Sequence, residues 1–113
     1  MEPAPDELRY RLLLAEGFLN ESREDQTLGR WRSCVDNSQL ATENAAKAVL
    51  AIISPGGRTH NPAPHLRQAL QRGDFSVLVS SKVERLAECA ELLGPDVHIQ
   101  SDYGDELAGR TPW

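Results

Sequence analysis

Apolar residues recur at steps of three and four along most of the chain, which is the spacing of an amphipathic helix. The clearest stretch predicts a long helix from about Leu28 to Ile53. An earlier helix is predicted to start near Pro5, which suits a first helical position, and to fray in the polar segment 20–26, where Thr27 would cap the long helix. Seven residues of the long helix form its predicted inward stripe: Trp31, Val35, Ser38, Thr42, Ala45, Val49 and Ile52.

Two shorter helices are predicted after the Pro/Gly-containing segment 54–57, which cannot continue a helix at low cost. Asn61 is predicted to be the N-cap of the third helix, with Pro62 at its first position, and Gly73 is predicted to end it. The predicted inward stripe of this helix consists of Leu66, Ala69 and Leu70.

Asp74 is predicted to cap the fourth helix, which Gly94 and Pro95 would end. The segment 95–113 is acidic and poor in apolar residues, so it is predicted to be an irregular arm. Short connections favour antiparallel neighbours, so we expect an all-α, antiparallel, up-and-down four-helix bundle over about 5–94. The whole chain, 1–113, is expected to form one domain.

Composition narrows the class of protein. With 113 residues, 40% of them hydrophobic and 26% charged, the chain fits a globular domain. The net charge of −5 disfavours a DNA-binding surface, and no apolar run is long enough to span a membrane. The acidic N-terminus lacks the pattern of a secretory signal, so we expect a cytoplasmic protein. Cys34 and Cys89 are predicted to be small buried side chains, and no metal site and no cofactor are predicted.

Several short motifs, in their order along the chain, resemble the HEPN family of small helical domains. They are Ala-Glu-Gly-Phe-Leu at 15–19, the Ala-rich segment 39–48 with its Glu and Ala-x-Lys-Ala pattern, and Thr-His-Asn at 59–61. The segment 101–105 is similar to the Arg-Tyr-Pro-Asp tail of the family, with Arg and Pro replaced. The resemblance covers about 7–103. It implies a helical domain that commonly forms homodimers and is associated with nucleotides, RNA and minimal nucleotidyltransferases.

Many members of the HEPN family are metal-independent ribonucleases that use an Arg-x(4–6)-His motif, with the two sites meeting across a homodimer. In this chain Arg58 and His65 match that spacing, and they are the candidate catalytic pair. A histidine could act as a general base toward a ribose 2′-OH while an arginine stabilises the charge on the phosphorus. However, the pair lies in a segment with Gly and Pro residues rather than on a helix, so coincidence is the favoured interpretation.

A binding site is predicted from Glu43, Lys47 and His60, which would line a polar groove, and Tyr103 of the tail motif is a further candidate. Simpler interpretations are open. His60 could satisfy backbone groups near a helix start, and Glu43 and Lys47 could form an exposed ion pair worth at most about 0.5 kcal/mol.

Three functions therefore compete. The leading hypothesis is a HEPN-like module that binds a nucleotide or a partner protein such as a minimal nucleotidyltransferase, without strong catalysis of its own. The first alternative is a ribonuclease toxin of a toxin–antitoxin pair. The second alternative is a helical dimerisation module without a ligand. Whether the chain is an enzyme is left open.

Overall fold

The computed structural model describes residues 5–53, 61–94 and residue 109. These residues form four α helices and no strand, which confirms the predicted all-α bundle. None of the described helices combines the length and the apolar character needed to cross a membrane. Apart from Gly109, the predicted arm lies outside the described residues. The helices are α1 (Pro5–Thr27), α2 (Trp31–Ile53), α3 (Ala63–Arg72) and α4 (Val77–Leu92).

The prediction that α1 frays within 20–26 is wrong, because the helix continues to Thr27. Ser22 and Asp25 are buried against α2 rather than solvated. The Ser22 hydroxyl bonds to the hydroxyl of Ser38, and the Asp25 carboxylate accepts a bond of 2.8 Å from Asn37 Nδ2. These contacts satisfy the polar side chains, so the polar segment packs on α2 as part of the helix.

The connection between α1 and α2 depends on Gly29, whose φ of 71° lies in the left-handed region that glycine adopts without strain. Leu28 therefore belongs to the turn, and α2 begins three residues later than predicted. Thr27 does not cap α2 as predicted. Its hydroxyl instead donates to the carbonyl of Arg23, 3.0 Å away in its own helix.

The predicted inward stripe of α2 is wrong in part, because Val35, Ile52 and Trp31, the last of these 65% exposed, face solvent, whereas Val49 packs against the core. Helix α1 packs along one side of α2, and α3 and α4 pack on another. The buried residues of α2 therefore lie on two sides of the helix rather than along one apolar stripe. The buried residues of α2 are Gln39, Ala41, Asn44, Ala46, Ala48 and Ala51.

The apolar core lies between α2, α3 and α4. Leu66 and Ala69 of α3 are fully buried, and Leu70 is half-buried, so the predicted stripe of α3 is confirmed. Five half-buried apolar side chains pack around the central cluster. The cluster itself consists of Ala46, Leu66, Val83 and Ala87.

The predicted N-caps of α3 and α4 are wrong. The N-cap of α3 is Pro62 rather than Asn61, and the side chain of Pro62 makes no capping hydrogen bond. The N-cap of α4 is Ser76 rather than Asp74, whose carboxylate instead accepts hydrogen bonds from the guanidinium of Arg72, the closer at 2.9 Å. A carboxylate held by a neighbouring arginine is turned away from the helix start. The predicted end of α3 is confirmed, because Gly73 adopts a left-handed φ of 76°.

Candidate functional site

Two of the four predicted binding residues, Glu43 and Lys47, lie one turn apart on α2. The Lys47 ammonium is 3.3 Å from Glu43 Oε2, and the two side chains are only 15% and 16% exposed. The interpretation of these residues as an exposed ion pair is therefore wrong. His60 and Tyr103 lie outside the described residues.

Gln39 extends this polar row by one turn, and sequence reasoning missed it as a site residue. It is 4% exposed, and its Nε2 donates to Glu43 Oε1 over 3.4 Å. Its Oε1 is closed off from solvent and has no hydrogen-bond partner among the described residues. The signal in the sequence is the spacing of four between Gln39, Glu43 and Lys47, which puts them on one face of a helix.

A small cleft opens beside Gln39 and Glu43, at the point where α2 meets the start of α3 and the end of α4. The space open to the centre of a water molecule is about 10 Å³, which is room for one water-sized group. The residues lining the cleft are Gln39, Thr42, Glu43, Asn61, Pro62, Ala90, Leu93 and Gly94.

The described polar groups that line the cleft are mainly hydrogen-bond acceptors. Glu43 contributes a carboxylate, which Lys47 already pairs, and the hydroxyl of Thr42 already donates its proton to the carbonyl of Ser38, 2.8 Å away. The C-terminal end of α4 adds the negative end of a helix dipole, and the last turn of α4 has no basic residue to offset it. The described part of the cleft is therefore lined by hydrogen-bond acceptors, and the charge of its carboxylate is balanced by Lys47.

The candidate catalytic pair is not brought together by any described contact. His65 is exposed on α3 and does not line the cleft, while Arg58 lies outside the described residues. Within residues 5–53 and 61–94, no group of His, Cys, Asp and Glu side chains is arranged to hold a metal ion. Cys34 is half-buried, but the prediction that Cys89 is buried is wrong, because Cys89 is exposed on α4.

A second surface feature is apolar. Leu12 and Leu19 of α1 are exposed and, being seven residues apart, share one side of their helix, as do Trp31 and Val35 of α2. The bonds from Arg11 to Asn44 and from Ser22 to Ser38 show that α1 and α2 are antiparallel. On each helix, the exposed pair lies about a quarter turn around the helix axis from the residues that face the other helix, and the rotation has the same sense on both helices. Because the helices are antiparallel, both exposed pairs lie on one side of the α1–α2 pair. We call Leu12, Leu19, Trp31 and Val35 the apolar patch.

Comparison with known proteins agrees with the resemblance seen in the sequence. The family model described as HEPN domain matches residues 8–111, which is most of the chain. No significant match was found among curated proteins or among solved structures.

Proposed function

Because this chain belongs to the HEPN family, we propose that it is a binding module whose partner is a protein, such as a minimal nucleotidyltransferase, and that it has no strong catalysis of its own. The observation that carries this proposal is the acceptor-lined cleft beside Gln39 and Glu43. Nucleotides present phosphates, which bind to cations and N–H donors. The carboxylate of Glu43 and the negative end of α4 disfavour such a ligand and favour a basic side chain of a partner protein.

The apolar patch supports a second part of the proposal, that two copies pair. Exposed apolar side chains that share one side of a domain are typical of an interaction surface, and an exposed tryptophan is typical of an interface hot spot. Small residues of α2 such as Ala41 and Ala48 would permit close contact between two copies, but both are buried within the chain and are not free to make it. We therefore assign the homodimer contact to the patch around Trp31.

Partner binding is tested by coexpressing the chain with the product of a neighbouring nucleotidyltransferase reading frame and measuring copurification. We expect the two to copurify, and we expect Glu43→Gln to weaken the complex because it removes the charge of the cleft. Glu21→Gln, a matched change at an exposed position of α1, should have no effect. Binding of ATP by the isolated chain, lost in Lys47→Met, would instead support the nucleotide hypothesis and contradict this proposal.

The dimer is tested by sedimentation equilibrium at high micromolar concentration. We expect a dimer for the native chain and a monomer for Trp31→Lys. Val77→Lys provides the matched control, because Val77 is also exposed but lies at the start of α4, away from the patch. A native chain that sediments as a monomer would contradict pairing.

A further inference from the structure

We infer that two copies of this chain pair through antiparallel α1 helices, with Glu16 of each copy bonded to the partner's Arg23. The inference rests on the proposed function in one respect, since it takes the apolar patch as the contact between copies, and it adds the register of that contact. Three features of the described residues carry it: a stripe of side chains on α1, the charges that other registers would bring together, and the position of Trp31.

The stripe lies on the side of α1 that carries Leu12 and Leu19. Arg9, Glu16 and Arg23 are also exposed, and each is seven residues from the next, so all five side chains lie within about a quarter turn of one another. Their order along the helix is Arg, Leu, Glu, Leu, Arg. None of the three charged side chains forms an ion pair with another described residue, so their charges are available to a second copy.

The charges of the stripe limit how two copies can pair. In a two-fold contact, residue i of one copy meets residue j of the partner, and j meets i. Parallel α1 helices would set each charge against itself. The antiparallel register that places Leu12 on the partner's Leu19 would set Glu16 against the partner's Glu16 and Arg9 against the partner's Arg23, which again opposes like charges. A shift by one heptad instead brings Glu16 opposite the partner's Arg23 on both sides of the two-fold axis, with Leu19 beside that axis.

Trp31 selects this register over the shift in the other direction, which would set Glu16 opposite the partner's Arg9. The hydrogen bonds between α1 and α2 place Trp31 near the C-terminal end of α1. Pairing of Glu16 with the partner's Arg23 brings the partner's Leu12 to that same end, level with Trp31. Pairing with the partner's Arg9 would leave Trp31 beyond the first residue of the partner's α1, and the partner's helix would not cover it.

The apolar side chains and the charges therefore have separate roles in the contact. Burial of the apolar patch supplies the affinity, because it removes exposed apolar surface from water. The two ion pairs lie at the surface, where such pairs contribute little affinity but favour one register and oppose the others.

The test is charge reversal in the full chain, followed by sedimentation equilibrium at moderate ionic strength. We expect Glu16→Arg and Arg23→Glu each to raise the Kd of the dimer at least roughly tenfold, because each change sets like charges together twice. The double variant Glu16→Arg/Arg23→Glu should return to within about threefold of the native Kd. Both positions are exposed and have no charged neighbour three or four residues away on α1, so neither change alters an ion pair along the helix.

The matched control is Glu21→Arg, which makes the same change in net charge at an exposed position on the other side of α1 and should leave the Kd unchanged. In about 1 M salt the single reversals should approach the native Kd, because surface charges are screened. A native dimer that Trp31→Lys dissolves, but that the single reversals leave unchanged, would overturn the register and leave the patch as the contact. A double variant that pairs as weakly as the single variants would also overturn the register. A native chain that is a monomer would contradict the proposed pairing itself.

Discussion

Replacing Gln39 by leucine is expected to stabilise the protein, although it removes a hydrogen bond. The bond to Glu43 is long, at 3.4 Å, and therefore weak. The amide oxygen that is removed with it is buried and unpaired, and an unsatisfied buried acceptor costs about 1–3 kcal/mol. Leucine is one atom shorter than glutamine, but it places two methyl groups against the surrounding side chains.

The balance of these terms is a gain of about 1–2 kcal/mol in the free energy of unfolding, measured by urea denaturation with circular dichroism. For a domain of this size the corresponding rise in melting temperature is roughly 4 °C per kcal/mol.

The matched control is Asn44→Leu, the same kind of change one turn further along α2. Asn44 is equally buried, but its amide is fully used: Arg11 Nη1 donates to Oδ1 over 3.0 Å, and Nδ2 donates to the carbonyl of Leu40 over 2.9 Å. This substitution should destabilise the protein by about 1–3 kcal/mol, because the guanidinium of Arg11 loses its partner. If Gln39→Leu also destabilised the protein, the oxygen of Gln39 would have to be satisfied in the native fold, and the reasoning would be refuted.

Three further outcomes are expected. Leu66→Ala should lower the free energy of unfolding by about 2–5 kcal/mol in urea, since Leu66 is fully buried, while Leu92→Ala at an exposed position should change it by less than about 0.5 kcal/mol. The hydrogen bonds from Arg67 lower the pKa of Glu91. The stabilisation by this ion pair is therefore present above the ordinary glutamate pKa and is lost as the pH falls through the lowered value. The urea midpoints of the native chain and of Glu91→Gln should accordingly converge in acid. Finally, labelled single-stranded RNA incubated in chelator should remain intact, and cleavage that disappears in His65→Ala would contradict a non-catalytic module.

The number and order of the helices were predictable because each helix carries apolar residues at helical spacing. One group of errors occurs where polar residues contact other polar residues. Ser22 and Asp25 look like a solvated helix end in sequence, and their partners Asn37 and Ser38 lie more than ten positions away. A periodicity argument treats polarity as exposure, so it cannot identify a helix contact made from hydroxyls, amides and a carboxylate.

The candidate site was predictable only in part for a related reason. The pairing of Glu43 with Lys47 follows from their spacing on one helix. The importance of Gln39 does not follow from its spacing, because it depends on segments that are distant in sequence and line the cleft beside this residue. These segments are Asn61–Pro62 and Leu93–Gly94. An unpaired oxygen is a property of the assembled fold, and no local pattern in α2 distinguishes Gln39 from a surface glutamine.

The two kinds of helix contact also explain why the apolar patch exists. The central core cluster is formed by α2, α3 and α4, and no side chain of α1 belongs to it. Helix α1 is held on α2 by polar pairs such as Ser22–Ser38 and Arg11–Asn44, each contributing a net stabilisation of about 1 kcal/mol. Leu12 and Leu19 of α1 lie on the surface, on the same side of the α1–α2 pair as Trp31. A second copy packed there would bury this surface and would add hydrophobic contacts to the polar pairs that hold α1 on α2.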